Sequence, residues 1–208
     1  MKKFISVSPF QKPDKLGKGI YVPANSDILG YDKAVSFPVI PIVNGYADEG
    51  EKISVITVVS EYPNAKANYI TLKNDLNTLA IEKKLDISYT EISVPYNNDL
   101  KVQLGVFTQL INCISDNDKL YCDITFGSKV MNQIFTMSMH YGYRARSGVM
   151  IGCTAYGEYD HNTDDLKIYD ITSLSYLDEI VRTMADKGIG DPTNAIKMMM
   201  DLEDEADG

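Results

Sequence analysis

The sequence has no tryptophan, two histidines and three cysteines in 208 residues. His140 lies in an apolar segment and His161 in a polar one, far from each other. A Ser-His-Asp triad or a histidine metal centre therefore has little to build on. Cys113, Cys122 and Cys153 are widely spaced in apolar segments and form no CxxC. That pattern argues against a zinc knuckle or a disulfide framework and suits reduced, buried thiols. No stretch is long enough to cross a membrane. The basic and then apolar start, Met1 to Ser6, meets Gln11, Lys12, Asp14 and Lys15 too early for a secretory signal, so a cytoplasmic location is expected. Basic charge is short as well: 20 Lys and Arg against 29 Asp and Glu, a net charge of -9. General coating of DNA or RNA is thereby disfavoured, whereas a small anion in a locally positive pocket is not. No GxGxxG follows the first strand, and Gly127-Ser128-Lys129 lacks the earlier glycine of a Walker loop. Gly17-Lys18-Gly19 is too far downstream and leads into no helix. No cofactor and no bound metal are expected.

Hydrophobic residues make up 44% of the chain, enough for a full core. Lys3–Ser8 alternates as a strand that Pro9 ends. Gln11–Gly19 is a polar loop. Val35–Val43 contains Pro38 and Pro41 and reads as an edge strand or extended loop. Ile53–Ser60 is the clearest buried strand, followed by a helix over Ala65–Leu85, a strand over Asp86–Val94 and a helix from about Asp99 to Ser115. A strand over Leu120–Thr125 and a helix over Lys129–Tyr141 come next. Ser147–Tyr156 and Leu166–Ile171 form a late strand pair, expected to be antiparallel. Ser173 caps a helix over Leu174–Lys187 that Gly188 stops. Asp191-Pro192 opens a last short helix ending in the acidic tail Asp201–Asp207. This order predicts an α/β fold: a Rossmann-like, mostly parallel central sheet flanked by helices, with a late antiparallel pair and C-terminal helices. The expected division is one domain over 1–188 and a short C-terminal helix and tail over 189–208.

The chain is organised around Lys119–Gly142, a buried strand, a tight turn at Phe126-Gly127-Ser128 and a helix. Gly127 permits a backbone that a Cβ resists, and Ser128 is a good N-cap. The turn sets free N–H groups, a hydroxyl and Lys129 at the carboxyl end of a central strand, where open α/β sheets bind ligands and helix N-termini favour phosphate. An ordinary capped turn looks the same. Ser6, Ser8 and Phe10 border the same edge if the first strand is central. Asn97 and Asn98 suit either base edges or plain turn chemistry. Arg144 and Arg146 follow the central helix. Asp160, Asp165 and Lys167 loosely suit a metal nuclease and equally a charged turn.

Asp123-Ile124-Thr125-Phe126-Gly127-Ser128-Lys129 resembles the D-x-T-x-G-x-[KR] signature of CRISPR-associated Rossmann-fold (CARF) domains. Phe4–Phe10, followed by Lys and Tyr in a loop, is similar to the start of the same group, and the element order over Lys3–Lys187 fits it. The likeness is greatest to the branch found in type III CRISPR accessory proteins. Phe126 stands where the commonest version has His. The resemblance implies a homodimer that binds a cyclic oligoadenylate, tetra-adenylate favoured, across its two-fold axis. Ser6, Phe10, Asn97, Asn98, Thr125, Phe126, Gly127, Ser128, Lys129 and Asn132 would form the ligand site.

Members usually carry an effector behind the sensor. No Arg-x(4–6)-His ribonuclease motif, basic winged helix or deaminase zinc signature follows here. A standalone ring nuclease is one expectation, with Lys129 stabilising the transition state, Ser128 holding the phosphate and Ser8 or Ser6 orienting the ribose in a metal-independent cleavage. A sensor acting through a partner or a missing effector domain is another. A nucleotide-independent interaction module, docking through Met198-Met199-Met200 and the acidic tail, and a metal nuclease using Asp165 and Lys167 complete the set.

Overall fold

A computed structural model describes residues 1–197 apart from Asn98, His161, Asn162, Asp164 and Ala195. The expectations placed on Asn98, His161, Met198–Met200 and the acidic tail lie outside the described residues. The chain divides into two units, Met1–Ile171 and Thr172–Gly208. The division falls before the last long helix, where the sequence reading places it after Gly188.

The first unit is built on a seven-stranded sheet. Its strands are β1 (Lys2–Val7), β2 (Tyr21–Pro23), β3 (Lys52–Ser60), β4 (Asp86–Val94), β5 (Lys119–Asp123), β6 (Met150–Asp160) and β7 (Asp165–Asp170). Their order across the sheet is β2-β7-β6-β5-β1-β3-β4. β1 pairs in parallel with β3 and β5, β3 with β4, and β5 with β6. Among the named strands of the described residues, the β6–β7 pair is the antiparallel one, as the late strand pair predicts. Chain order grows outward from β1 through β3 to β4, then returns past β1 to β5 and β6. The reversal makes the gap between β1 and β5 the topological switch point of the sheet.

Helices cover both faces. α1 (Val39–Tyr46) and α2 (Pro63–Lys83) pack on one face, where Ile40, Ile42, Leu72, Leu76 and Leu79 meet Phe4, Ile53 and Val55. α3 (Leu100–Asn112) and α4 (Lys129–Ala145) cover the other, where Val106, Leu110, Phe135 and Met139 meet Ile5, Ile56 and Cys122. Strand alternation assigns the sides: Phe4 faces α1 and α2, and Ile5 and Val7 face α3 and α4. Cys122 and Cys153 are buried, as the sequence reading expects, whereas Cys113 is half-buried; all three are free thiols.

Two elements depart from the sequence reading. Val35–Val43 is not a strand: its second half is the start of α1. Pro38 is the N-cap and Pro41 falls in the first turn, where a backbone N–H has no intrahelical partner to lose. Val39, Ile40, Ile42 and Val43 are all buried, so the segment is apolar because it is covered. β2 is a three-residue edge strand pairing with β7, with Pro23 at its end. At the amino edge of the sheet, buried Asp118 accepts the N-terminal ammonium at 3.1 Å and Lys3 Nζ at 3.0 Å.

The second unit begins with α5 (Thr172–Asp186). The N–H of Ile189 returns to the Met184 carbonyl and that of Gly188 to Ala185, with Gly188 at φ +74°, the left-handed stop expected there.

Candidate functional site at the carboxyl edge

β5 ends in Asp123, and the stretch Asp123-Ile124-Thr125 begins as a structural joint. The Asp123 carboxylate is 2% exposed. It accepts the Thr125 N–H at 2.9 Å, and the Thr125 hydroxyl and the Val39 N–H at the start of α1 lie near enough to favour its charged form. Burial pushes its pKa up to about 6, against the pull of those hydrogen bonds. The Thr125 Oγ1 in turn accepts the Gly157 N–H at 2.7 Å, tying in β6. Asp123 and Thr125 thus tie the end of β5 to β6 beside the start of α1. Thr125 Oγ1 is occupied there, although the residue also borders a cleft described below.

The second half builds a turn at the switch point. Gly127 holds φ +95°, and a Cβ there would stand 2.9 Å from Val7 Cγ1 at the end of β1. Glycine is therefore required both by its backbone and by the close approach of the two central strand ends. Ser128 caps α4 as expected, its Oγ accepting the Met131 N–H at 3.1 Å. The same hydroxyl keeps its proton to donate. Among the described residues, no group accepts a hydrogen bond from the N–H of Gly127, Ser128, Lys129 or Val130. Lys129 is exposed beside them. Asn132 sits under the turn. Its Nδ2 donates to the Ile124 carbonyl at 2.7 Å, and its buried Oδ1 has no partner among the described residues. Four unpaired N–H groups, one hydroxyl and one ammonium at a helix start have the chemistry of an anion cradle.

Clefts open on both sides of this turn. The larger, about 1000 Å³, is bordered by Thr125, Phe126, Lys15, Lys18, Tyr159 and Asp165 among others. The smaller, about 310 Å³, is bordered by Gly127, Ser128, Phe10, Tyr96, Asn97 and Gln103 among others. The structure thus brings Phe10, Asn97, Thr125, Phe126, Gly127, Ser128, Lys129 and Asn132 to one edge.

Ser6 and Ser8 are different. Both share the Phe4 side of β1 and point beneath the α1/α2 layer. Ser8 is fully buried and its Oγ donates to the Ala65 carbonyl at 2.6 Å, while buried Ser6 lies 3.5 Å from Thr57 Oγ1. The ribose-orienting role expected of either serine is not supported by this placement. Asn97 Oδ1 accepts the Asp99 N–H at 3.1 Å, so its carboxamide shapes the turn before α3 at the border of the smaller cleft. Asp99 is the N-cap of α3 but makes no side-chain cap hydrogen bond.

Arg144 and Arg146 are at the other end of α4, 17 residues or about 25 Å from the turn, and cannot reach its anion. Asp160 is paired across from Asp165, and Lys167 across from Glu158, on the β6–β7 hairpin. That pairing accounts for the charged cluster as facing strand positions.

Sequence reasoning missed Tyr62 and Tyr96, the residues closing the ends of β3 and β4, because nothing in their local spacing marks them. It also passed over Lys18, rejected with its glycines as a nucleotide loop and yet a wall of the larger cleft. No protein-family model and no curated protein sequence matches the chain. No helix among the described residues is long and apolar enough to cross a membrane.

Proposed function

We propose that the carboxyl edge binds a cyclic oligoadenylate, with tetra-adenylate the favoured ring, at the two-fold axis of a homodimer. The turn at the switch point supports this reading: the unpaired N–H groups of Gly127 to Val130, the Ser128 hydroxyl and exposed Lys129 come in consecutive residues at the start of α4, as a phosphate site needs. Doubling that cradle across an axis concentrates positive charge locally in a chain of net charge -9. A second observation favours the dimer. Leu100 and Leu104 of α3 and Val130, Met137 and Tyr141 of α4 are all exposed, and Phe107 stacks edge-on against Tyr141 to join the two helices. Such a patch, beginning in the first turn after Gly127, suits a second copy of the chain.

The proposal includes slow, metal-independent ring cleavage. A ribose 2′-hydroxyl attacks the adjacent phosphorus and the P–O5′ bond breaks. The 2′-hydroxyl gives its proton to water, the departing 5′-oxygen takes one up, and the products are a 2′,3′-cyclic phosphate and a 5′-hydroxyl. The protein supplies in-line placement and charge stabilisation, the latter from Lys129. Ser128 and the Gly127 N–H hold the phosphate, and Ser8 has no part. Incubation with cyclic tri-, tetra- and hexa-adenylate in chelator, followed by product analysis, tests this. Linear adenylates with cyclic-phosphate ends are expected from one ring. Binding without cleavage leaves a sensor. No binding of any ring refutes the reading.

A further inference from the structure

Three aromatic side chains close the ends of three adjacent parallel strands. Phe10 follows β1, Tyr62 follows β3 and Tyr96 follows β4. Their rings touch pairwise, with centroids 6.2 Å apart for Phe10–Tyr62, 5.6 Å for Phe10–Tyr96 and 5.1 Å for Tyr62–Tyr96. Phe10 stands edge-on to both tyrosines, whose planes are within 31° of each other. None of the three belongs to either core cluster. They are 36%, 38% and 66% exposed, so they pack on one another while facing solvent. Beside a cleft, a partly exposed three-ring cluster is a candidate ligand surface.

The cluster is also held in place. Asn68 Nδ2, on α2, donates to the carbonyls of Pro9 at 2.8 Å and Gln11 at 2.9 Å, and Asn64 Nδ2 donates to the Phe10 carbonyl at 3.2 Å. The loop carrying Phe10 is thereby clamped on both sides of the ring. Phe10 and Tyr96 share the smaller cleft with Asn97, Gly127 and Ser128. Aromatic faces and an anion cradle in one cleft match the two halves of a nucleotide, a flat base and a phosphate.

We propose that Phe10, Tyr62 and Tyr96 form a stacking platform for a purine base of the ligand whose phosphate rests on the Gly127 turn. Tyr96, the most exposed ring, offers its face, and the other two brace it. This rests on the binding reading above and adds to it where a base lies. Two probes separate them: cyclic tetra-adenylate with one adenine replaced by 2-aminopurine, and 2-aminopurine riboside 5′-monophosphate. Stacking quenches 2-aminopurine emission. With the parent protein, quenching on binding is expected. Tyr96→Ala should weaken binding about tenfold and abolish the quench, while Tyr96→Phe, which keeps the ring, should retain both. Phe10→Ala, at a second ring, should lower the quench as well. A ring probe bound unquenched, or equally by parent and Tyr96→Ala, overturns the platform and leaves the binding reading standing. A quenched monophosphate with no binding of the ring probe refutes the cyclic ligand and upholds the platform. Binding of neither probe overturns both.

Discussion

Replacing Gly127 with alanine tests the idea that the turn is glycine for two separable reasons. The first is backbone: at φ +95° an L side chain costs about 1–2 kcal/mol. The second is crowding: the new methyl would lie 2.9 Å from Val7 Cγ1, and Val7 is 5% exposed in a packed core with little room to yield. Forcing extra volume into such a place costs about 1–3 kcal/mol. The expected loss is about 2–5 kcal/mol. Two other glycines calibrate it. Gly50 also has positive φ, +76°, but nothing lies within 4 Å of its added Cβ, so Gly50→Ala should cost only the backbone share. Gly105, inside α3 with equally open space, should be stabilised by about 0.5–1 kcal/mol on becoming alanine. Urea denaturation with linear extrapolation measures all three. If Gly127→Ala loses no more than Gly50→Ala, the close approach of the β1 and β5 ends is not what fixes this residue.

Other perturbations have equally definite outcomes. Asp123 has its folded pKa near 6 against an ordinary 3.8, so the folded state holds the extra proton between those values. Stability should therefore fall as pH rises from about 4 to about 6, by about 3 kcal/mol in all. Denaturation curves across that range should flatten in Asp123→Asn. Lys129→Ala, at an exposed position, should melt like the parent while cutting ring cleavage by about 10²–10³-fold in a single-turnover assay. Unchanged cleavage would remove Lys129 from the chemistry. Asn68→Ala strips two carbonyls of their donor and should cost about 1–3 kcal/mol in denaturation, with faster amide exchange in residues 9–11.

The parallel core was legible because β3 and its helix carry strong, uninterrupted patterns. The Gly127 turn was legible because strand, glycine, capping serine and buried helix stand in sequence. α1 was not, because two prolines look like strand breakers until Pro41 is known to sit in a helix's first turn. Ser6 and Ser8 were misjudged for a related reason. A strand's alternation says which residues share a side, and only the packed structure says that this side is roofed by α2. The aromatic cluster could not be read at all. Phe10, Tyr62 and Tyr96 come from three separate strand ends, and only the sheet's lateral order makes them neighbours.

That lateral order also bears on how the chain is made. β1 precedes the other strands of this sheet in the chain and lies inside the sheet, yet Lys2 finds its second partner only at Lys119. Until β5 is synthesised, one edge of the apolar run Phe4-Ile5 has nothing to pair with. Pairing so distant in sequence is slow to form, and an unpaired edge in a nascent chain invites association with the wrong neighbour. The arrangement that sets two strand ends against each other around Gly127 therefore leaves β1 half-paired until more than a hundred further residues have been made.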